Sequence, residues 1–267
     1  MGLRLVLRRA PPLRVDARSL LPSVAALPVE DVQRLRLPHG RDTVAVGELF
    51  DVQQCDGDAL VLDGDLSRFD AIGAGMAEGT IEANGSVGDN AGLGMSGGRL
   101  LIRGSARDLA ACSMRGGHIE VTGDIGDFAA SALPGDMDGM RGGTLHVHGG
   151  AGARLADRMR RGTVVVNGDC GDFAASRMVA GTLALGGRCG AHAGWGMRRG
   201  SVVFAGEAPA LASTFVAVHS NAHVFWQLLA RDLARFGGPF DGLHLRKVER
   251  HAGDLAVQGK GELVMLA

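Results

Sequence analysis

Residues 159–206 read MRRGTVVVNGDCGDFAASRMVAGTLALGGRCGAHAGWGMRRGSVVFAG. The segment is built three times over. Met159-Arg-Arg-Gly162, Met178-Val-Ala-Gly181 and Met197-Arg-Arg-Gly200 stand 19 residues apart, and each opens a five-residue run: TVVVN, TLALG and SVVFA. In every run the second and fourth residues are apolar, the period-2 pattern of a strand with one face buried.

The same columns extend toward the N-terminus. Methionines fall at 76, 95, 114, 140, 159, 178 and 197, with spacings of 19, 19, 26, 19, 19 and 19. Glycines before the strands (79, 98, 117, 143, 162, 181, 200) and after them (85, 104, 123, 149, 168, 187, 206) repeat those intervals. The single long interval is a seven-residue insertion within Leu133–Met140, expected as a loop added at a surface corner. Five-residue strands cannot bury a core alone, but identical strands one repeat apart stack into a parallel sheet. The expected fold is all-β, a right-handed parallel β-helix of about 19 residues per coil and seven to eight coils over residues 56–208. Met fills its irregular interior gaps.

Composition agrees. Gly accounts for 43 of 267 residues, roughly twice the ~7% average, yet 46% of the chain is hydrophobic, so the glycines punctuate strands rather than make a linker. A net charge of -1 speaks against a nucleic-acid binder. With no run of eighteen apolar residues, a membrane helix is not expected. Arg4, Arg8 and Arg9 interrupt the N-terminal apolar stretch, which reads as a strand of a cytoplasmic chain rather than a signal peptide. Residues 1–55 and 209–267 are expected to cap the open ends, with short helices after Pro28 and over His223–Phe236, the latter presenting Phe225, Leu228, Leu229, Leu233 and Phe236. The outward strand positions drift from polar to apolar at Val165, Ala184, Val203 and Ala205, a face that the second helix is expected to cover.

Catalytic chemistry is hard to find. The stretch Gly253–Gly261 has the wrong spacing for a P-loop. A hexapeptide acyltransferase would need a six-residue subperiod, which 19 does not contain. Cys170 and Cys189 stack one repeat apart and are expected to be free thiols. His146 and His148, with Glu120 one coil earlier, could hold a metal, but are read as exposed polar strand residues, and no metal site is expected; His219 and His223 lack the Glu of HExxH. The positions after the Met column place Arg115, Arg141, Arg160 and Arg198, with Arg161 and Arg199 beside the last two, in a basic ladder suited to an acidic surface or a multi-carboxylate ligand.

These repeats resemble the C subunit of formylmethanofuran dehydrogenase and its bacterial counterpart in the formyltransferase/hydrolase complex. Matching stretches include Gly47-Glu-Leu-Phe-Asp-Val52, Gly139-Met-Arg-Gly-Gly143, Met197-Arg-Arg-Gly200 and the tail Gly253–Glu262. The resemblance implies a non-catalytic assembly subunit in one-carbon metabolism. Its partners would be formyltransferase and amidohydrolase-like subunits, which move a formyl group from formyl-tetrahydromethanopterin to a furan cofactor and release formate. It also suggests that the arginine ladder meets the glutamate-rich tail of a methanofuran-type cofactor, by carboxylate pairing. The same repeat closes the large subunit of glutamate synthase, so a free-standing structural module of that kind is one alternative. An archaeal tungsten or molybdenum dehydrogenase subunit is another. The Arg-rich composition, with only two Lys, favours the bacterial version.

Overall fold

The computed structural model describes residues 2–218 and 223–267. The chain opens with β1 (Gly2–Leu7), β2 (Val15–Asp16), α1 (Val29–Arg34), β3 (Arg36–His39), β4 (Asp42–Ala45), α2 (Val46–Leu49) and β5 (Phe50–Cys55). The repeats give β6 (Leu60–Asp63), β7 (Phe69–Asp70), β8 (Thr80–Asn84), β9 (Arg99–Ile102), β10 (His118–Val121), β11 (Arg141–Val147), β12 (Arg161–Val166), β13 (Thr182–Leu185) and β14 (Ser201–Phe204). The chain ends with β15 (Val216–Ala217), α3 (His223–Ala234), β16 (Val248–Gly253) and β17 (Gly261–Leu266).

Thirteen of these strands form one sheet in the order β15-β16-β17-β14-β13-β12-β11-β10-β9-β8-β6-β1-β5. From β1 through β6, β8–β14 and β17 every neighbouring pair is parallel. The registers align one inward row: Leu3, Leu60, Ile81, Leu100, Ile119, Leu145, Val164, Leu183, Val202 and Leu263. Every member is buried. A second row of parallel bridges joins Leu66, Val87, Ala106, Ile125, Ala151, Cys170 and Cys189. All seven column methionines lie inside, at most 1% exposed. Fully burying each such side chain contributes about 1.5–3 kcal/mol.

Close stacking explains the glycine before each strand and the Gly-Gly pair that three repeats carry there. A Cβ on Gly142 would overlap the Arg115 carbonyl oxygen of the preceding coil. Gly143 has φ +87°, and a Cβ there would meet Met114 Cε at 2.7 Å and the Gly117 oxygen at 2.8 Å. The aspartates at the corners have a comparable task. Asp108 accepts from Asp127 N, Asp127 from Ala153 N and Asp172 from Ala191 N, each stitching one coil to the next.

The flanks join the same sheet. β1 takes the position of a coil strand beside β6, with β5 antiparallel outside it. The tail strand β17 continues the stack beyond β14, and β16 and β15 turn back antiparallel. Helix α3 covers Val165, Ala184 and Val203, as the apolar drift predicts. The face it uses overlaps the expected one only in part: Leu233 is buried and Leu229 and Phe236 pack against the cluster, but two expected residues do not. Trp226, Ala230 and Leu233 are buried against the sheet with Phe240 and Leu243, whereas Phe225 (45%) and Leu228 (63%) face outward. The 3₁₀ turns over Gly238–Phe240 and Leu243–Leu245 add their own side chains to the cluster and set the helix's rotation. No described helix is long and apolar enough to cross a membrane.

Candidate functional site: an arginine cleft and an outer-face histidine cluster

Backbone bonds hold the basic column in register: Arg115 N donates to Met95 O, Arg141 N to Met114 O, Arg160 N to Met140 O and Arg198 N to Met178 O. Lys260 N donates to Arg198 O, so the tail adds one more cation to the column. The ladder is not bare. Asp138, from the inserted loop, pairs with Arg160 at 2.6 Å and Arg141 at 3.4 Å. Arg141 and Arg161 are neighbours in register on β11 and β12.

A cleft of about 440 Å³ opens beside this column. Its lining brings Arg160 and Arg198 together with Arg158 and Arg177, next to Met137 and Trp195. Arg115, Arg141, Arg161 and Arg199 stay outside that lining. Arg158 and Arg177 were missed by reading only the positions after the Met column. They stand immediately before Met159 and Met178, at φ +57° and +54°, where four other repeats carry Gly75, Gly94, Gly139 and Gly196 and one carries Ser113. A non-glycine residue there costs about 1–2 kcal/mol, so arginine in a glycine column is a readable departure from the repeat. Arg177 forks onto Asp157, which is 4% exposed and also accepts from the Ser176 hydroxyl at 2.6 Å. On the other side of the inserted loop a second cleft, of about 500 Å³, shares Arg158 and Arg177 and adds Phe128 and Leu133. Arg154 lies over the Phe173 ring at 4.9 Å and the Phe128 ring at 5.8 Å. Cationic heads over aromatic and apolar walls suit carboxylates carried on an extended chain.

On the opposite, outward face of the sheet, His146 departs from the expectation of an exposed residue. It is 6% exposed, because Phe236 packs edge-on against it with ring centroids 5.0 Å apart. His148 stacks on it at 4.2 Å. Its Nε2 lies 3.1 Å from Glu120 Oε1, and His146 Nε2 lies 3.3 Å from Asn167 Oδ1. Arg99 donates to the other Glu120 oxygen at 3.1 Å. Burial holds the His146 and His118 imidazoles below the usual histidine range, assisted by neighbouring His148 and Arg99 respectively.

The remaining candidates resolve simply. His219 and the side chain of His223 lie outside the described residues. The glycine-rich tail forms a turn in which Asp254 accepts from Gly196 N and Ala256 N, both at 3.0 Å, and pins it to the last coil. Its glycines allow close stacking: a Cβ on Gly259 would overlap the Met197 carbonyl oxygen. Cys170 and Cys189 are free and adjacent in the stack; their mutual hydrogen bond and burial push the Cys170 thiol well up.

Comparison with known proteins places this architecture. The model of the GXGXG motif family matches residues 64–219. The C subunit of the formyltransferase/hydrolase complex (Fhc) of Methylorubrum extorquens is 39% identical over 78 residues, a match spanning 29% of each chain. A chain in the crystal structure of the FhcABCD complex from the same organism, solved with methylofuran, superposes with a TM-score of 0.92 at 38% identity. That likeness covers 99% of both chains, flanks included. This chain belongs to the GXGXG motif family and, within it, is a relative of the C subunit of the formyltransferase/hydrolase complex.

Proposed function

We propose that this chain is the non-catalytic structural and assembly subunit of a formyltransferase/hydrolase complex. That complex would transfer a formyl group from formyl-tetrahydromethanopterin to a furan cofactor and release formate. The observation that carries this reading is the end-to-end likeness, at 38% identity, to a chain of the Methylorubrum complex. A second line of support is apolar surface outside the self-covered core: Met137, Trp195, Val224 and Leu228 are each more than half exposed. In this reading the stack is a right-handed parallel β-helix of seven to eight coils, its flanks act as end caps, and the protein works in the cytoplasm. Formyltransferase and amidohydrolase-like subunits dock on it. The arginines of the cleft (Arg158, Arg160, Arg177, Arg198), continued by Arg115, Arg141, Arg161 and Arg199 along the column, receive the glutamate-rich tail of a methanofuran-type cofactor.

The test is gentle affinity purification from the native host, followed by mass spectrometry. Co-purification of a formyltransferase and an amidohydrolase-like subunit is expected. A stable monomer with neither would overturn the assembly role. Replacing Arg160 and Arg198 together by Ala should leave the subunits assembled and lower cofactor retention. Unchanged retention would remove the cofactor part of the reading alone.

A further inference from the structure

The outer-face cluster offers a site that the assembly role does not use. Glu120 on β10 and His146 and His148 on β11 each present one ligand atom, and the three atoms lie within 4.8 Å of one another. They converge because β10 and β11 pair in parallel with Glu120 opposite His146, and because His146 and His148, two residues apart, leave the strand on the same side. We propose that Glu120, His146 and His148 form a binding site for one divalent transition-metal ion of the zinc class.

The donor set fits that class: two imidazoles and one carboxylate suit zinc and its neighbours better than magnesium or calcium, which prefer all-oxygen shells. The surroundings fit as well. His146 is held from behind by Asn167 Oδ1 at 3.3 Å, the kind of carbonyl contact that orients a metal-bound imidazole. Phe236 shields the same ring edge-on, with centroids 5.0 Å apart. Glu120 divides its oxygens, with Oε2 toward Arg99 at 3.1 Å and Oε1 toward His148 at 3.1 Å. Oε1 is therefore the oxygen turned to the ion. The cluster opens into a cleft of about 500 Å³ walled by His118, Thr144 and Arg235, which leaves room for water as a fourth ligand. The two guanidinium groups, Arg99 and Arg235, oppose a bare cation. A coordinated hydroxide or a partner's carboxylate would offset them, so an anionic fourth ligand belongs to the site. The ion would join adjacent coils across the insertion and stand beside the end of α3.

The experiment uses the full chain, freed of any affinity tag and stripped with chelator, titrated with Zn²⁺ alone by calorimetry. One equivalent should bind with Kd below about 10 μM, and saturating metal should raise Tm by about 5 °C. His148→Ala and Glu120→Gln should each weaken binding at least tenfold. Both residues face solvent at least in part, so the variants should melt close to the wild type without metal. Asn167→Ala should weaken binding about 10–100-fold through ring orientation. His192→Ala, which changes a histidine stacked on Phe173 and outside the cluster, should leave affinity unchanged. Should the variants fail to fold, Co²⁺ titration of the unaltered chain reads the site directly, through the visible absorption of a low-coordinate N,O complex. Absence of stoichiometric Zn²⁺ binding, an octahedral Co²⁺ spectrum, or equal affinity in folded His148→Ala and Glu120→Gln would overturn the proposal.

Discussion

Replacing Leu233 by Ala is the sharpest perturbation of the covered outer face. Leu233 is fully buried among Val165, Ala184, Val203, Phe240 and Val264. Truncation removes three carbon atoms beyond Cβ, which at about 0.8 kcal/mol each gives a transfer loss of about 2.4 kcal/mol. A cavity closed on one side by a rigid sheet relaxes little, so the total should fall at about 3–4 kcal/mol, within the range measured for such changes. Leu228, one and a half turns earlier, is 63% exposed, and its replacement should cost under about 0.5 kcal/mol. Because stacked repeats are stabilised mainly by neighbours, the loss should be uneven along the stack. Hydrogen exchange followed by mass spectrometry should accelerate most in α3 and in β12–β14 and least in β8 and β9. Urea titration of both variants measures the energies. Equal costs for Leu233→Ala and Leu228→Ala, or exchange that quickens uniformly, would refute this account of the helix as a local cover.

Gly143→Ala should destabilise by about 2 kcal/mol or more, since the new methyl group combines a φ of +87° with contacts at 2.7 and 2.8 Å; thermal melting checks it. Cys112, whose thiol burial pushes up to about 11, should resist alkylation of the native chain at pH 8, while Cys55, which is only half-buried, reacts; peptide mapping separates them. Burial pushes the Asp254 carboxyl up, but hydrogen bonds from Thr214, Gly196 N and Ala256 N outweigh it and hold the group below its ordinary range. A depressed folded pKa contributes stability that is fully present above the unfolded value of about 3.9 and lost as pH falls through the folded value. The stability gap between wild type and Asp254→Asn, measured by denaturant titration, should therefore narrow as pH drops below about 4.

The middle of the molecule was legible because its physics repeats. Ile119, Leu145 and Val164 face the same environment one coil apart, so the same residue types return at the same interval. The ends were not legible in that way. β1 and β17 occupy coil positions in the sheet, yet neither falls on the 19-residue columns, so periodicity could not place them there. Apolar drift at Val165, Ala184 and Val203 correctly called for a cover. Helical spacing placed Leu229, Leu233 and Phe236 on the covering side but misassigned Phe225 and Leu228, because Val224, Phe225 and Leu228 give α3 a second apolar side and tertiary packing selected the one with Trp226. Burial of His146 was invisible for a related reason: its cover, Phe236, stands ninety residues further on.

The features that carry chemistry are the places where the repeat is broken. The one long interval supplies Asp138, which meets the arginine column. Two glycine positions hold Arg158 and Arg177, and both project into the cleft that adjoins that loop. One strand carries two histidines where its neighbours carry Glu120 and Thr122, or Val165 and Asn167. A stack stabilised by nearest neighbours tolerates such departures, because each costs only locally and the inward rows remain intact. The same tolerance lets two faces of one sheet diverge: the corner beside the Met column became cationic, while the outer face was first polar and then roofed by the chain itself. A scaffold subunit needs that independence, since the surfaces it offers to different partners must vary without disturbing the core that holds them at a fixed spacing.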